Sequence, residues 1–121
     1  MSIYTGYFAK YHKYRENYTC VSIAGRSPDF FKGVTYKKLA PKYEFFIKYK
    51  KGKISCKEFI ECYEKEILSK LNPRDVLKEL YELTYSEKII LLCWEKTINF
   101  CHRHLVAKWL QNELGKTIKE I

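Results

Sequence analysis

The feature of the sequence that most constrains the fold is a short apolar run at 88–92, which lies between two helical patterns. Its length and β-branched content predict a buried strand. The first helical pattern begins at the Asn72-Pro73 cap and runs to about Leu83. The second covers 101–114 and is ended by Gly115. Strands separated by helices favour a parallel sheet covered on both faces, so we expect an α/β fold.

The rest of the chain supplies further strands and helices. Further strands are expected at 3–8, 18–23 and 117–121, with a short helix at 42–50. Ser55 and Glu58 form a capping-box pattern that opens an amphipathic helix. With 121 residues, the chain suits one compact core. We therefore expect a single three-layer domain over 1–121, with a mostly parallel sheet of about four strands flanked by helices.

Positive charge is concentrated in the first half of the chain. Residues 1–54 hold 12 Lys and Arg against 3 Asp and Glu, whereas the remaining residues hold 11 of each. The first half also carries 8 of the 11 tyrosines, and its segment 29–54 reads as a basic, aromatic-rich insertion. Basic and aromatic residues together fit a surface for nucleic acid or nucleotide phosphates. Solvated lysines and aromatic rings that pack in the core would give the same composition.

Several classes of protein are not expected. No apolar run has the length of a membrane span, and Met1–Tyr4 lacks the pattern of a signal peptide. The five cysteines are scattered and odd in number, which argues against a disulfide framework. The sequence therefore predicts a cytoplasmic protein that does not contact a membrane. Its oligomeric state stays open.

The densest chemistry lies where the strand at 88–92 ends and the last helix begins. Cys93, Glu95 and Lys96 follow the strand, and Cys101-His102-Arg103-His104 opens the helix. A helix N-terminus offers free N–H groups and the positive end of a dipole.

Parallel strands bring such junctions to one edge of the sheet, where α/β proteins place their ligands. The loop after the second strand should reach the same edge. We therefore expect one ligand site there, formed by Gly25, Arg26, Ser27, Cys93, Glu95, Lys96, His102 and Arg103.

These residues resemble a known family. The matching segments are Ile3-Tyr4-Thr5-Gly6, Arg26-Ser27-Pro28, and Leu91-Leu92-Cys93-x-Glu95-Lys96 with Cys101-His102-Arg103. Together they resemble the domain of unknown function family number 488, whose signature is a strand ending in cysteine, then Glu-Lys, then Cys-His-Arg opening a helix. The resemblance covers most of the chain. It departs at 22–25, where the family often carries an aspartate, and in the basic character of 29–54. It implies the location of a site but no particular reaction.

Each residue of the junction has more than one interpretation. Arg103 could bind a phosphate, carboxylate or sulfate, or form a structural ion pair with Glu95. Cys101 could be a nucleophile whose pKa is lowered by the helix N-terminus and by its neighbours, or a small buried apolar residue.

Zinc is a further option, through Cys93, Cys101, His102 and His104, which are suitable ligand types. The spacing of these four residues is not a known zinc pattern. His102 and His104 are two positions apart, so on a helix their side chains point to different sides. The sequence therefore predicts no metal and no cofactor.

Three functions remain open. The leading hypothesis is a module that binds a phosphate-bearing anionic ligand, either a nucleotide or nucleic acid, at the junction. The second is a cysteine-dependent enzyme that acts on such a ligand through Cys101. The third is an interaction protein whose basic half docks on an acidic partner.

Overall fold

The computed structural model describes residues 1–96 and 101–121. It contains one sheet in which all pairings are parallel, with the strand order β3-β2-β4-β1-β5. The five strands are β1 Ser2–Tyr7, β2 Thr19–Ser22, β3 Val34–Thr35, β4 Lys88–Cys93 and β5 Lys119–Glu120. The α/β fold with a parallel sheet flanked by helices is thus confirmed.

Within residues 1–96 and 101–121, five α-helices and three short 3-10 helices connect the strands. The helices are α1 Tyr11–Tyr14, α2 Tyr43–Lys50, α3 Cys56–Glu66, α4 Pro73–Thr84 and α5 His102–Leu114. The 3-10 helices are Phe8–Lys10, Lys37–Leu39 and Leu68–Lys70.

The helix ends follow the capping residues in the sequence. Ser55 and Glu58 form the expected capping box at the start of α3. The side chain of Asn72 accepts a hydrogen bond from the backbone N–H of Arg74 at the start of α4. Gly115 ends α5 with a φ of 70°, a left-handed conformation that glycine adopts without strain. Local sequence thus determines where these three helices begin or end.

The strand β3 was not expected from the sequence. It is two residues long and pairs with β2, with Val21 opposite Val34 and Ser22 opposite Thr35. Two residues cannot show the alternation that identifies a strand. The β3 strand also adds a fifth strand where about four were expected.

The sheet carries a separate apolar core on each face. Along β4, Ile89 and Leu91 belong to the core that helices α2 to α5 cover, and Ile90 and Leu92 belong to the other core. The second core is closed by aromatic side chains from the region of α1 and the loop after β2, namely Phe8, Tyr11, Tyr14 and Phe31. The strand β4 is therefore covered on both faces, as its continuous apolar sequence predicts.

Aromatic residues in the basic half contribute to these cores. Tyr36, Leu39 and Phe45, from the segment 29–54, are buried against the helical layer. Tyr11 and Tyr14 are also buried, so neither is available to stack on a nucleic-acid base. Packing is thus the correct interpretation of these two rings. In the part of the chain that the structure describes, no helix is long and apolar enough to cross a membrane.

Candidate functional site

The site lies at the carboxyl edge of the sheet, where β1, β2 and β4 end together. Tyr7, the last residue of β1, is paired with Cys93, and Ser22, the last residue of β2, is paired with Leu92. Cys101 is the N-cap of α5, and its extended backbone directs the chain into the helix. The parallel sheet therefore brings the strand ends and the start of α5 to one place, which is where α/β folds bind their ligands.

Two cysteines and a histidine form a compact buried cluster at this edge. The Sγ atoms of Cys93 and Cys101 lie 3.5 Å and 3.8 Å from Nδ1 of His102. All three side chains are buried. Nε2 of His102 is 2.7 Å from the carbonyl oxygen of Ile23. Because a carbonyl oxygen only accepts hydrogen bonds, Nε2 is the donor in this contact, and the contact turns Nδ1 towards the two sulfurs.

The two thiols differ in acidity because they interact. The hydrogen bond from Cys93 lowers the pKa of Cys101 most, and the adjacent His102 lowers it further, although burial opposes both effects. The same hydrogen bond, together with burial, raises the pKa of Cys93 well above its usual value. These opposite directions favour the thiolate on Cys101, with the thiol of Cys93 as its hydrogen-bond donor.

A cavity of about 680 Å³ opens above this cluster. Cys93, Cys101 and His102 form part of its wall. Most of the remaining wall is apolar and aromatic, contributed by Ala24, Pro41, Tyr43, Phe46, Tyr49, Phe59 and Trp94. Three residues with charged side chains, Arg26, Lys50 and Glu95, are among the described residues that line the cavity. The cavity thus combines aromatic walls with a few charged groups, which is the usual composition of a small-molecule site.

Two contacts hold the mouth of the cavity together. Nε1–H of Trp94 donates a hydrogen bond of 2.7 Å to the carbonyl oxygen of Arg26 and so joins the loop after β4 to the loop after β2. Lys50 of α2 forms an ion pair with Glu95. Trp94 remains 49% exposed and Tyr43 71% exposed. Large aromatic surfaces at the cavity therefore remain open to solvent.

The structure brings together most of the residues that the sequence assigned to the site. Those that line the cavity are Gly25, Arg26, Cys93, Glu95, Cys101 and His102. Ser27, Lys96 and Arg103 are not among the described lining residues. Ser27 instead forms a hydrogen bond of 2.7 Å with the hydroxyl of Ser22, and Lys96 is exposed. His104 is half-buried and lies outside the Cys-His cluster.

Arg103 is buried and forms an ion pair with Glu120. Its side chain is 0% exposed, and Nη2 lies 2.7 Å from Oε2 of Glu120, with Nε 3.1 Å from Oε1. The structural partner of Arg103 is thus Glu120 of β5, and the alternative of a pair with Glu95 is wrong because Glu95 contacts Lys50. Nη1 has no hydrogen-bond partner among the residues that the structure describes. Since Glu120 compensates the guanidinium charge, we do not place Arg103 in the ligand site.

One of the comparisons with known proteins agrees with the family resemblance. The family model DUF488-N3a, described as an active DUF488-N3 subclade, matches residues 8–114. The chain belongs to the DUF488 family. The match does not test the Cys-His-Arg motif itself, so the roles of its residues stay predictions. No curated protein and no solved structure gives a significant match to the chain.

Sequence reasoning missed one wall of the site in this DUF488 protein. Tyr43, Phe46, Tyr49 and Lys50 line the cavity, and all four belong to α2. A signal for them is present in the sequence, because positions 43, 46 and 50 lie on one side of a helix while Phe45 faces the core. That side of α2 has aromatic rings without being buried in the core, as expected for the wall of an open cavity.

Proposed function

We propose that the cavity binds a ligand that has both a planar ring and a phosphate group, as a nucleotide does. The observation that carries this proposal is the aromatic lining beside exposed cationic side chains. Phe46, Tyr49 and Trp94 line the cavity with aromatic rings, which are the side chains on which a planar group stacks. A volume of about 680 Å³ suits a ligand of nucleotide size.

The phosphate is assigned to the basic side of the cavity. Arg26 is exposed and lines the cavity, and its guanidinium can donate two parallel hydrogen bonds to a phosphate. Lys50 lies at the cavity too, although Glu95 already neutralises part of its charge. The net charge of +9 favours the approach of an anion. This location replaces the anion site expected at Arg103.

Isothermal titration of the full chain with adenosine monophosphate, adenosine and inorganic phosphate tests this assignment. We expect the nucleotide to bind more tightly than either part alone. Phe46→Ala should weaken binding of both the nucleotide and the nucleoside by about 5- to 150-fold, which corresponds to ~1–3 kcal/mol per stacked base. Tyr81→Ala, which changes an exposed ring on α4, is the matched control and should leave the affinity unchanged.

The position of the phosphate has its own test. Arg26→Ala should weaken the nucleotide and leave adenosine unaffected, whereas Arg74→Ala, which changes an exposed arginine elsewhere, should affect neither. The proposal is wrong if none of the three compounds binds. It is also wrong if wild-type protein binds adenosine and adenosine monophosphate equally well and Arg26→Ala has no effect.

A second candidate is a cysteine-dependent enzyme that acts on the same ligand through Cys101. A specific geometry favours it: Nδ1 of His102 faces Sγ of Cys101 at 3.8 Å, and the ring is held in place by the carbonyl of Ile23. The description of the matched subclade as active agrees with this candidate. If Cys101 is the nucleophile, Cys101→Ser should abolish turnover of the ligand, whereas the ligand should still bind. Turnover that survives this substitution would exclude the candidate.

A further inference from the structure

The Cys-His cluster has a geometry that neither ligand binding nor core packing requires. Cys93, Cys101 and His102 come from the end of a strand and the start of a helix, yet their three potential ligand atoms all lie within 4.8 Å of one another. We propose that these three side chains bind a Zn²⁺ ion and leave its fourth coordination position open to the cavity. This inference goes beyond the proposed function, which depends only on the cavity walls and Arg26.

Two distances within the cluster are close to those of a tetrahedral zinc site. With Zn–S bonds of about 2.3 Å and Zn–N bonds of about 2.0–2.1 Å, a tetrahedral angle places sulfur and nitrogen about 3.5 Å apart. The two measured distances from Nδ1 of His102 are 3.5 Å to Cys93 and 3.8 Å to Cys101. These two sulfur–nitrogen distances therefore need to change only by a few tenths of an ångström to accept the ion, and the two sulfurs already lie within 4.8 Å of each other.

The histidine is already oriented as a metal ligand. A zinc-bound histidine almost always donates its other ring N–H to a carboxylate, a backbone carbonyl or water. In this protein Nε2 of His102 donates to the carbonyl of Ile23 at 2.7 Å. This contact orients the ring so that Nδ1 faces the two sulfurs, and an ion bound there would take the place of any proton on Nδ1. One ring nitrogen is thus fixed by the backbone, and the other is directed at the proposed ion.

The number and type of ligands indicate which metal binds and how. Two thiolates and one imidazole are soft to intermediate ligands, which favour zinc over magnesium or calcium. His104, the fourth candidate from the sequence, lies outside the cluster. The cavity touches all three ligand residues, so a water or a ligand atom can reach the fourth position. Three protein ligands with one open position is the arrangement of catalytic rather than structural zinc.

A zinc ion would change the role of Cys101. A thiolate that is bound to zinc shares an electron pair with the ion and is a weaker nucleophile than a free thiolate. With zinc present, a water on the open position would supply the reactive group, because the ion makes it more acidic. The metal content of the protein therefore decides between two chemistries for the same three residues.

Metal titration of the reduced, metal-stripped full chain tests the proposal. We expect about one Zn²⁺ per chain, measured by competition with a chelating dye. Co²⁺ should give the absorption of a tetrahedral site with thiolate-to-metal charge transfer, a test that needs no variant. Removing a residue that only hydrogen-bonds to a metal ligand weakens metal affinity about 10- to 100-fold. Cys101→Ser replaces a ligand itself, so it should weaken Zn²⁺ binding by more than about 100-fold. Cys62→Ser, on α3 and outside the cluster, should leave it unchanged.

Three results would overturn the site. The first is that wild-type protein binds Zn²⁺ no more tightly than Cys101→Ser does. The second is a Co²⁺ complex without thiolate-to-metal charge transfer. The third is a loss of Zn²⁺ affinity in Cys62→Ser that equals the loss in Cys101→Ser. Nucleotide titration of the metal-stripped protein separates this outcome from the proposed function. If the protein binds the nucleotide but no Zn²⁺, the zinc site is refuted and the proposed nucleotide site stands.

Discussion

Removing the carboxylate of Glu120 should destabilise the protein strongly. Arg103 is 0% exposed, and its guanidinium donates to both carboxylate oxygens of Glu120, at 2.7 Å and 3.1 Å. The same carboxylate accepts a hydrogen bond from the hydroxyl of Thr5. Breaking a buried ion pair by removing one partner costs about 3–5 kcal/mol, because the remaining charge stays buried without compensation. Glu120→Gln keeps one acceptor oxygen, so we expect about 3 kcal/mol.

The chain offers a matched control for this substitution. Arg74 and Glu113 form an ion pair of the same residue types, with Nε 2.9 Å from Oε1, but the Arg74 side chain is 83% exposed. Water replaces the lost partner of an exposed arginine. Glu113→Gln should therefore change the free energy of unfolding far less than Glu120→Gln. Both substitutions remove one negative charge, so their difference reports the buried surroundings of Glu120, including its hydrogen bond from Thr5.

Urea denaturation followed by circular dichroism measures these differences in the free energy of unfolding. A loss of about 3 kcal/mol should also lower the melting temperature by about 10 °C. The double variant Arg103→Met/Glu120→Met should be more stable than Glu120→Gln, since it leaves no charge buried. Equal effects of Glu120→Gln and Glu113→Gln would refute the reasoning. So would a double variant no more stable than the single one.

Three further substitutions test the packing by the same denaturation assay. Gly33→Ala places a Cβ 2.5 Å from the backbone oxygen of Cys20 and should lower the free energy of unfolding by about 1–3 kcal/mol. The control Gly25→Ala places a Cβ with nothing within 4 Å and should leave stability unchanged, so equal effects would contradict the close approach at Gly33. Leu110→Ala should cost about 2–5 kcal/mol because Leu110 is fully buried, and Leu83→Ala, at a side chain 50% exposed, should cost much less. Ser55→Ala removes the capping box and should cost about 0.5–2 kcal/mol, and an unchanged stability would refute the role of the cap.

The elements that the sequence predicted well are those with local signals. The strand β4 shows a continuous apolar run because both of its faces are covered, and its observed bounds, Lys88–Cys93, extend the expected strand by one residue. Ser55, Asn72 and Gly115 determine helix ends through their own backbone and side-chain geometry, so neighbouring sequence is sufficient to locate them. The same elements predicted that most residues of the candidate site would meet at one edge, because parallel strands end together.

The features that sequence reasoning missed depend on contacts between distant segments. Glu120 meets Arg103 because β5 pairs with β1 at the edge of the sheet, and nothing near Arg103 in the sequence indicates that pairing. Nearby residues suggested Glu95 instead, which the fold turns towards Lys50. The close approach of His102 to both sulfurs also depends on the carbonyl of Ile23, 79 positions earlier, which fixes the ring.

The candidate site is built from two segments of the chain with separate tasks. The helix α2 and the residues around it supply much of the aromatic wall, whereas the end of β4 and the start of α5 supply the Cys-His cluster. The cluster is held by the sheet and by the carbonyl of Ile23, and none of its hydrogen bonds among the described residues involves α2. Substitutions in α2 should therefore change which ligand binds without changing the affinity for zinc. Phe46→Ala, measured for nucleotide and for Zn²⁺ in the same preparation, tests this separation, and a parallel loss of both affinities would show that the wall and the cluster form one unit.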